Sequence, residues 1–273
     1  MTASPLPVIA DGTLTSTNPV SGEIVGTFPV AGPEEVSAAV VRARAAGAWW
    51  RELGFDGRRE RLLRWAGAIA RRLPELTALM HAEGGKPVAD ATVEAAAALE
   101  HLAWAAKNAK RVLRLRRQRG SLMLAEFSAM LEYQPYGVIG VIGPWNYPIH
   151  TPMGSLAYAL AAGNAVVFKP SEYTPAIADW YVRRFAEVVP EQPVLQIVFG
   201  GGETGAALVA AGVDKIAFTG STATGKKIMA ACATTLTPVL LECGGKDAMI
   251  VDSDADSPND VTAAALGVLF APP

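Results

Sequence analysis

The sequence predicts an α/β protein, a doubly wound and mostly parallel sheet with helices on both faces, preceded by an N-terminal helical segment. Three observations predict it. Past residue 136, short apolar stretches at 137–142, 165–168, 194–199, 215–219 and 238–241 alternate with helical patterns near 151–162, 175–188, 203–211 and 222–234. These stretches are apolar without interruption, as strands buried on both faces are, and a helix between each pair supplies the crossover that parallel strands need. Finally, 273 residues with 51% hydrophobic content can bury a core of that size.

The elements justify themselves in order. Residues up to 30 are rich in Thr, Ser, Gly and Pro, and the turn signal Asn18-Pro19-Val20-Ser21-Gly22 precedes a β-leaning segment at 24–28, read as a leading strand or arm. Apolar residues at Val36, Val40, Ala43, Gly47 and Trp50 recur at helical spacing behind Pro33-Glu34-Glu35, which predicts a helix over 33–53. A second helix is expected from Asp56, taken as its N-cap, to the stop at Gly84-Gly85, with a kink at Pro74. A third, rich in alanine, runs over 88–112 and finishes in Arg114, Arg116, Arg117 and Arg119, read as a solvated helix end. After Gly120, residues 121–127 and 130–133 read as extended segments, a candidate hairpin. The alternating strands and helices follow.

Bulk properties exclude several functions. The 24 Lys and Arg against 26 Asp and Glu leave a net charge of -2, so no global field draws the chain to nucleic acid or to an anionic membrane. The two cysteines, Cys232 and Cys243, form no CxxC pair, and neither a disulfide framework nor a metal site is expected. The N-terminus lacks a basic region followed by an apolar one, and the longest apolar stretch, 155–168, is broken by Gly163-Asn164, well below the roughly 20 residues that span a bilayer. The expectation is a cytoplasmic protein with a small-molecule ligand.

In an open parallel sheet the ligand sits at the carboxyl ends of the strands. Those ends carry Ile142-Gly143-Pro144-Trp145-Asn146, Lys169-Pro170-Ser171-Glu172, a glycine-rich turn with Gly201 and Gly205, Phe218-Thr219-Gly220-Ser221 with Thr224, and Glu242-Cys243-Gly244. A glycine turn opening a helix, as at Gly220-Ser221, admits close backbone approach and offers free N–H groups to a pyrophosphate; a plain Ser N-cap reads the same way. Lys226 is followed by Lys227, so this is not a P-loop. Lys169 and Glu172 lie where a dinucleotide's adenosine ribose is expected. A carboxylate there accepts from both ribose hydroxyls and a lysine favours a 2′-phosphate, so the pair points to NAD with tolerance for NADP; a surface ion pair is the alternative. Asn146 can donate to a developing oxyanion, or be an ordinary turn residue. Glu242 can be a general base if burial raises its pKa.

The strings Pro144-Trp145-Asn146-Tyr147-Pro148, Lys169-Pro170-Ser171-Glu172, Phe218-Thr219-Gly220-Ser221-Thr222 and Leu241-Glu242-Cys243-Gly244-Gly245-Lys246, in this order, resemble the NAD(P)-dependent aldehyde dehydrogenase superfamily. Asn18-Pro19 with Gly22, Gly85-Lys86-Pro87 and Pro135-Tyr136-Gly137-Val138 match its earlier landmarks. The resemblance implies an arm and helices of the cofactor domain over 1–118, an oligomerisation arm over 119–135, a Rossmann-like dinucleotide core over 136–251, and over 252–273 an aberrant tail where the catalytic domain would begin. It implies oxidation of an aldehyde to a carboxylic acid in a homo-oligomer. A cysteine thiolate attacks the aldehyde, Asn146 steadies the oxyanion, and Glu242 activates the water that hydrolyses the thioester. Ile142 and Trp145 line the cofactor cleft, Lys169 and Glu172 hold the ribose, and Ser221 meets the pyrophosphate. His150, Thr151 and Met153 are the expected wall residues for the aldehyde.

The match is interrupted late. The family's nucleophile lies beyond the Glu242 motif in an Asn-x-Gly-Gln-x-Cys-like segment, which this sequence lacks, and Ser257-Pro258-Asn259-Asp260 breaks the helix expected there. Cys243 stands where the family has leucine and reads as a small apolar residue, and Cys232 reads as core, so neither is assigned as nucleophile. The expectation is a chain truncated before its cysteine and inactive alone, with Leu122, Leu124, Phe127 and Leu131 left as an apolar edge. The alternative is a dinucleotide-binding pseudoenzyme or interaction module. An acyl-phosphate reductase relative is less favoured, because Glu242 with Trp145-Asn146 suits a free aldehyde.

Overall fold

The structure, a computed structural model, describes residues 7–118, 123, 127–245, 248, 250, 252 and 262. Its centre is a five-stranded sheet of β6 (Val138–Ile142), β7 (Ala165–Lys169), β8 (Leu195–Ile197), β9 (Lys215–Gly220) and β10 (Val239–Cys243). All four pairings are parallel, in the order β10-β9-β6-β7-β8. Every residue of β6 and β7 is buried, as uninterrupted apolar runs require. The crossovers are α5 (His150–Ala161), α6 (Pro175–Val188), α7 (Gly202–Ala210) and α8 (Thr222–Ala233). The doubly wound class and each of its strands are as the sequence predicts.

The N-terminal part is richer than one leading strand. Strands β1 (Val8–Ala10), β2 (Thr13–Thr17) and β3 (Ile24–Pro29) form an antiparallel meander. Asp11 and Gly12, at φ of 48° and 70°, make the two-residue turn between the first two strands, and Asp-Gly is the signal for such a hairpin. Leu14 and Phe28 close a small core with Phe199, and Val30 bridges to Phe199 beside the main sheet.

Helices α1 (Pro33–Glu52), α2 (Gly54–Arg71), α3 (Leu73–Gly84) and α4 (Val88–Leu113) pack onto the sheet through one continuous core. Asp56 is not an N-cap. Gly54, at φ 62°, turns the chain directly after α1, so the N-cap of α2 is Leu53, three residues earlier than expected, and Asp56 falls in the first turn, 2.7 Å from Lys110. Pro74 does more than kink a helix: lacking an N–H and crowding the Ala70 carbonyl, it ends α2 and sits in the first turn of α3. Gly85 closes α3 at φ 68°, a left-handed cap. Buried Trp50 and Trp65 donate their indole N–H groups to the carbonyls of Leu160 and Tyr181, at 2.8 and 2.9 Å, tying α1 to α5 and α2 to α6.

The basic run is only partly a helix end. Arg114 leaves helical geometry at ψ 151°, and β4 (Arg116–Gln118) pairs with β5 (Ala129–Leu131). Arg116 lies over the Tyr133 ring and donates to its hydroxyl at 3.2 Å, which gives that extended segment a partner. Most of the 121–127 segment, with Leu122 and Leu124, and Arg119 lie outside the described residues. Among the described residues no helix is long and apolar enough to cross a membrane.

Candidate functional site

Strand β6 is the point from which the crossovers wind in opposite directions, to β7 and β8 on one side and β9 and β10 on the other. Loops leaving the carboxyl ends of β6 and β9 therefore diverge and open a crevice. A cleft of about 1440 Å³ lies there, and every residue predicted to bind cofactor or take part in catalysis, except Gly201, lines it. Gly201 is instead the N-cap of α7, with Ile9 packed beside it, and Gly202 takes its place in the lining.

On one wall, Ser221 caps α8: its Oγ accepts the Thr224 N–H at 3.2 Å and also meets the Thr224 hydroxyl at 2.9 Å. The first-turn amides of α8 have no partner within the helix, and Ser221, Thr222 and Thr224 bring this positive end of the helix to the cleft wall. Gly220 has a reason beyond ligand approach. A Cβ there would lie 2.6 Å from the Phe218 ring, which folds back beneath the turn.

Across the crevice, Lys169 is 4% exposed and donates to the Pro170 carbonyl at 2.8 Å. Its ammonium stands 3.6 Å from Glu172, whose side chain is a third exposed. Burial holds the Lys169 ammonium below its ordinary range, with Glu172 pulling the other way. The stem of Lys169 runs past Gly205 at ordinary contact, which seats α7 over the β7 end. The pair is thus a half-buried charge couple on the cleft wall rather than a free surface bridge, with one carboxylate edge open.

Asn146 lies at the mouth of β6. Its side-chain oxygen accepts the Tyr147 N–H at 2.9 Å. Because that partner is a donor, the oxygen is fixed there and the NH₂ is the end left free. Glu242 and Cys243, on the edge strand β10, are exposed on the same cleft as Asn146. The burial expected for Glu242 is therefore not present among the described residues. Cys243, read as a small apolar residue, is exposed, and Cys232 is core at 2% exposure, as expected.

Of the expected aldehyde-wall residues, Met153 is fully buried in the core. His150 instead borders a second hollow, of about 350 Å³ between α4 and α5, together with His101, Trp104 and Tyr158. Burial, with His101 nearby, holds the His150 imidazole below its ordinary range. Sequence reasoning also passed over two charged residues that grip the Asn146 loop. Lys86 donates to the Asn146 carbonyl at 2.8 Å, and buried Glu94 accepts the N–H groups of Ile149 and His150 at 3.0 and 3.2 Å. The Gly85-Lys86-Pro87 string marked Lys86 without a role, and no local signal marked Glu94, whose Ile149 and His150 partners lie more than 50 residues away.

Comparison with known proteins agrees with this geometry. The aldehyde dehydrogenase family model matches residues 9–271. A 4,4'-diapolycopene aldehyde oxidase of Methylomonas sp is 37% identical over 257 residues, covering 93% of this chain and 48% of that protein. An NAD+ complex of an aldehyde dehydrogenase from Bacillus cereus superposes with a TM-score of 0.88 at 31% identity, over 95% of this chain and 53% of that one. An NADP-dependent enzyme of E. coli gives a TM-score of 0.89 at 32% identity, over 95% and 53%. The chain spans about half the length of the curated relatives it matches. With the family model covering nearly all of it and the dinucleotide-type crevice in place, the chain belongs to the aldehyde dehydrogenase family.

Proposed function

We propose that this chain is the NAD-binding part of an enzyme that oxidises an aldehyde to a carboxylic acid, with NADP tolerated. The observation that carries the reading is the cleft where β6 and β9 diverge, which brings together a helix N-terminus behind the glycine turn at the end of β9 and a lysine–carboxylate pair at the end of β7, on the other side of β6. The residues fit a dinucleotide: the bare Gly220 backbone and the α8 amides suit a pyrophosphate, and Glu172 with Lys169 suits a ribose with or without a 2′-phosphate. Ile142, Gly143, Pro144, Trp145, Ser171, Phe218, Thr219, Thr224 and Gly244 supply the remaining wall. The relatives determined with NAD+ and described as NADP-dependent support the same reading.

Bound there, the cofactor would supply a hydride acceptor. In a form that carries the cysteine, two residues of this chain serve the chemistry: the free NH₂ of Asn146 donates to the oxyanion formed when the thiolate adds to the aldehyde carbon, and Glu242, once covered by the cysteine-bearing part, takes a proton from the hydrolytic water. The His101–His150 hollow, next to Tyr147, offers a wall for the body of the aldehyde. The sequence holds no Asn-x-Gly-Gln-x-Cys segment, so the activity proposed for these 273 residues is binding, and oxidation is proposed for a form that carries the cysteine. The protein acts on a small molecule, as a homo-oligomer, and without nucleic-acid or membrane partners.

Titration of the purified chain with NAD and NADP, followed by calorimetry and thermal shift, tests the reading. Saturable binding is expected, tighter for NAD, with stabilisation of about 2.7 kcal/mol at a cofactor concentration 100-fold above Kd. Lys169→Ala is expected to weaken both, and Glu172→Gln to narrow the preference for NAD. Failure of the chain to bind either cofactor would refute the proposal.

A further inference from the structure

The five residues after Trp145 are held from outside the sheet by a pair of buried charges. Glu94, 3% exposed in the second turn of α4, accepts the N–H groups of Ile149 and His150 with one oxygen, and its other oxygen takes the Lys86 ammonium. Lys86, whose side chain is 10% exposed, donates to the Asn146 carbonyl at 2.8 Å and lies 4.2 Å from the centre of the Tyr147 ring. The Tyr181 hydroxyl donates to the Pro148 carbonyl at 3.2 Å. From the Asn146 carbonyl to the His150 N–H, this loop's backbone polar groups are thus taken up by specific partners.

A buried ion pair is a poor device for stability alone, because desolvation offsets its attraction. Here both members are spent on one loop, and the connection to Asn146 is mechanical. The carbonyl that Lys86 holds and the N–H that Asn146 Oδ1 accepts belong to the same peptide unit, between residues 146 and 147. A peptide unit is planar, so fixing its carbonyl fixes its N–H. That N–H fixes Oδ1, and Oδ1 fixes the direction of the free NH₂.

We propose that Lys86 and Glu94 are positioning residues: through the 146–147 peptide, Lys86 sets the direction in which the Asn146 side-chain amide points, and Glu94 sets Lys86 and the start of α5. The inference rests on the reading of Asn146 as an oxyanion donor. It concerns the loop without any ligand bound, so its test is independent of cofactor binding.

The test is backbone amide exchange and side-chain amide NMR on the 15N-labelled chain, without cofactor. The Lys86→Met/Glu94→Gln double variant leaves no buried charge unpaired, and the amide oxygen introduced in place of the Glu94 carboxylate can still accept from Ile149 and His150. In it, the Tyr147 amide is expected to exchange at least about tenfold faster, and the Asn146 NH₂ signals to shift and broaden. The Ile149 and His150 amides and those of β6 and β7 should change less than about twofold. Asn146→Ala, which leaves the ion pair intact, is expected to speed Tyr147 exchange by a similar factor. Unchanged Tyr147 exchange in either variant, or a rise shared equally by the loop and the strands, would overturn the proposal; the latter would show a purely structural pair.

Discussion

Glu83 is the buried acid that the cleft does not use. In the last turn of α3, it accepts the Ser16 hydroxyl at 2.6 Å and the N–H groups of Ala176 and Ile177 at 2.8 Å each, so one carboxyl ties β2 to the first turn of α6. Burial pushes it up to about 7 against the pull of those three hydrogen bonds. Its pKa is raised on folding, so the folded state binds the proton more tightly. The associated stability is complete below the ordinary carboxyl range and is lost as pH rises through about 7. Urea unfolding at stepped pH is expected to show stability falling between about pH 5 and 8 by up to roughly 3 kcal/mol, and Glu83→Gln to flatten that slope; an equal slope in the variant would count against it. Ser221→Ala should remove the α8 cap at a cost of about 1 kcal/mol, and Ser221→Gly only a few tenths, read from denaturant midpoints. Cleft residues at strand ends were legible because turn chemistry and motif order mark them locally. Lys86, Glu83 and Glu94 were not, because on the sequence they are ordinary charges at the ends and faces of helices, and their partners are set by tertiary packing.

At the scale of elements, the same distinction separates the sheet from what precedes it. Strands β6, β7 and β9 read directly from uninterrupted apolar runs, because burial on both faces leaves no polar option. Strand β2, with the sequence Thr-Leu-Thr-Ser-Thr, carries one large apolar residue and was missed despite the Asp11-Gly12 signal. The junctions between helices were the other gap, since a break such as that at Arg72 depends on whether the surroundings straighten or split a proline-bearing helix. One residue secures several such ends. Arg58, 4% exposed, donates to the carbonyls of Ala161 at 3.2 Å, Arg51 at 3.1 Å and Trp50 at 3.5 Å, closing the C-terminal ends of α1 and α5 together. Arg58→Met keeps the stem and removes the donors from the Ala161, Trp50 and Arg51 carbonyls, of which Arg51 keeps the Leu53 N–H. The expected loss is about 3 kcal/mol in chemical denaturation, with NAD affinity unchanged within twofold, and a loss under about 1 kcal/mol would mean that water or neighbouring amides take the carbonyls over.

For the whole molecule, the question is which apolar surface the described chain leaves uncovered. The β4–β5 hairpin stands off the core with Phe127 72% and Met130 53% exposed, and Tyr133 follows at 47%. At the other end, β10 pairs with β9 alone among the described residues and shows Leu240 at 43%. A two-stranded ribbon carrying exposed large side chains has no stability of its own to spare, and its open edge is a template for another strand. Scattered apolar residues need no explanation, but a row of them along an edge does. The net charge of -2 offers little repulsion to keep two copies apart. The chain is therefore expected to self-associate, with sedimentation velocity showing mass that rises with concentration over the micromolar range. Phe127→Ser combined with Met130→Lys places a hydroxyl and a charge on the hairpin edge, and should weaken association about tenfold while leaving the thermal transition and NAD binding in place. Leu240→Lys on β10 serves as the comparison: if it abolishes association and the hairpin variant does not, the sheet edge is the contact surface and the hairpin is not. A monomer at every concentration would show that both edges are tolerated in water as they stand.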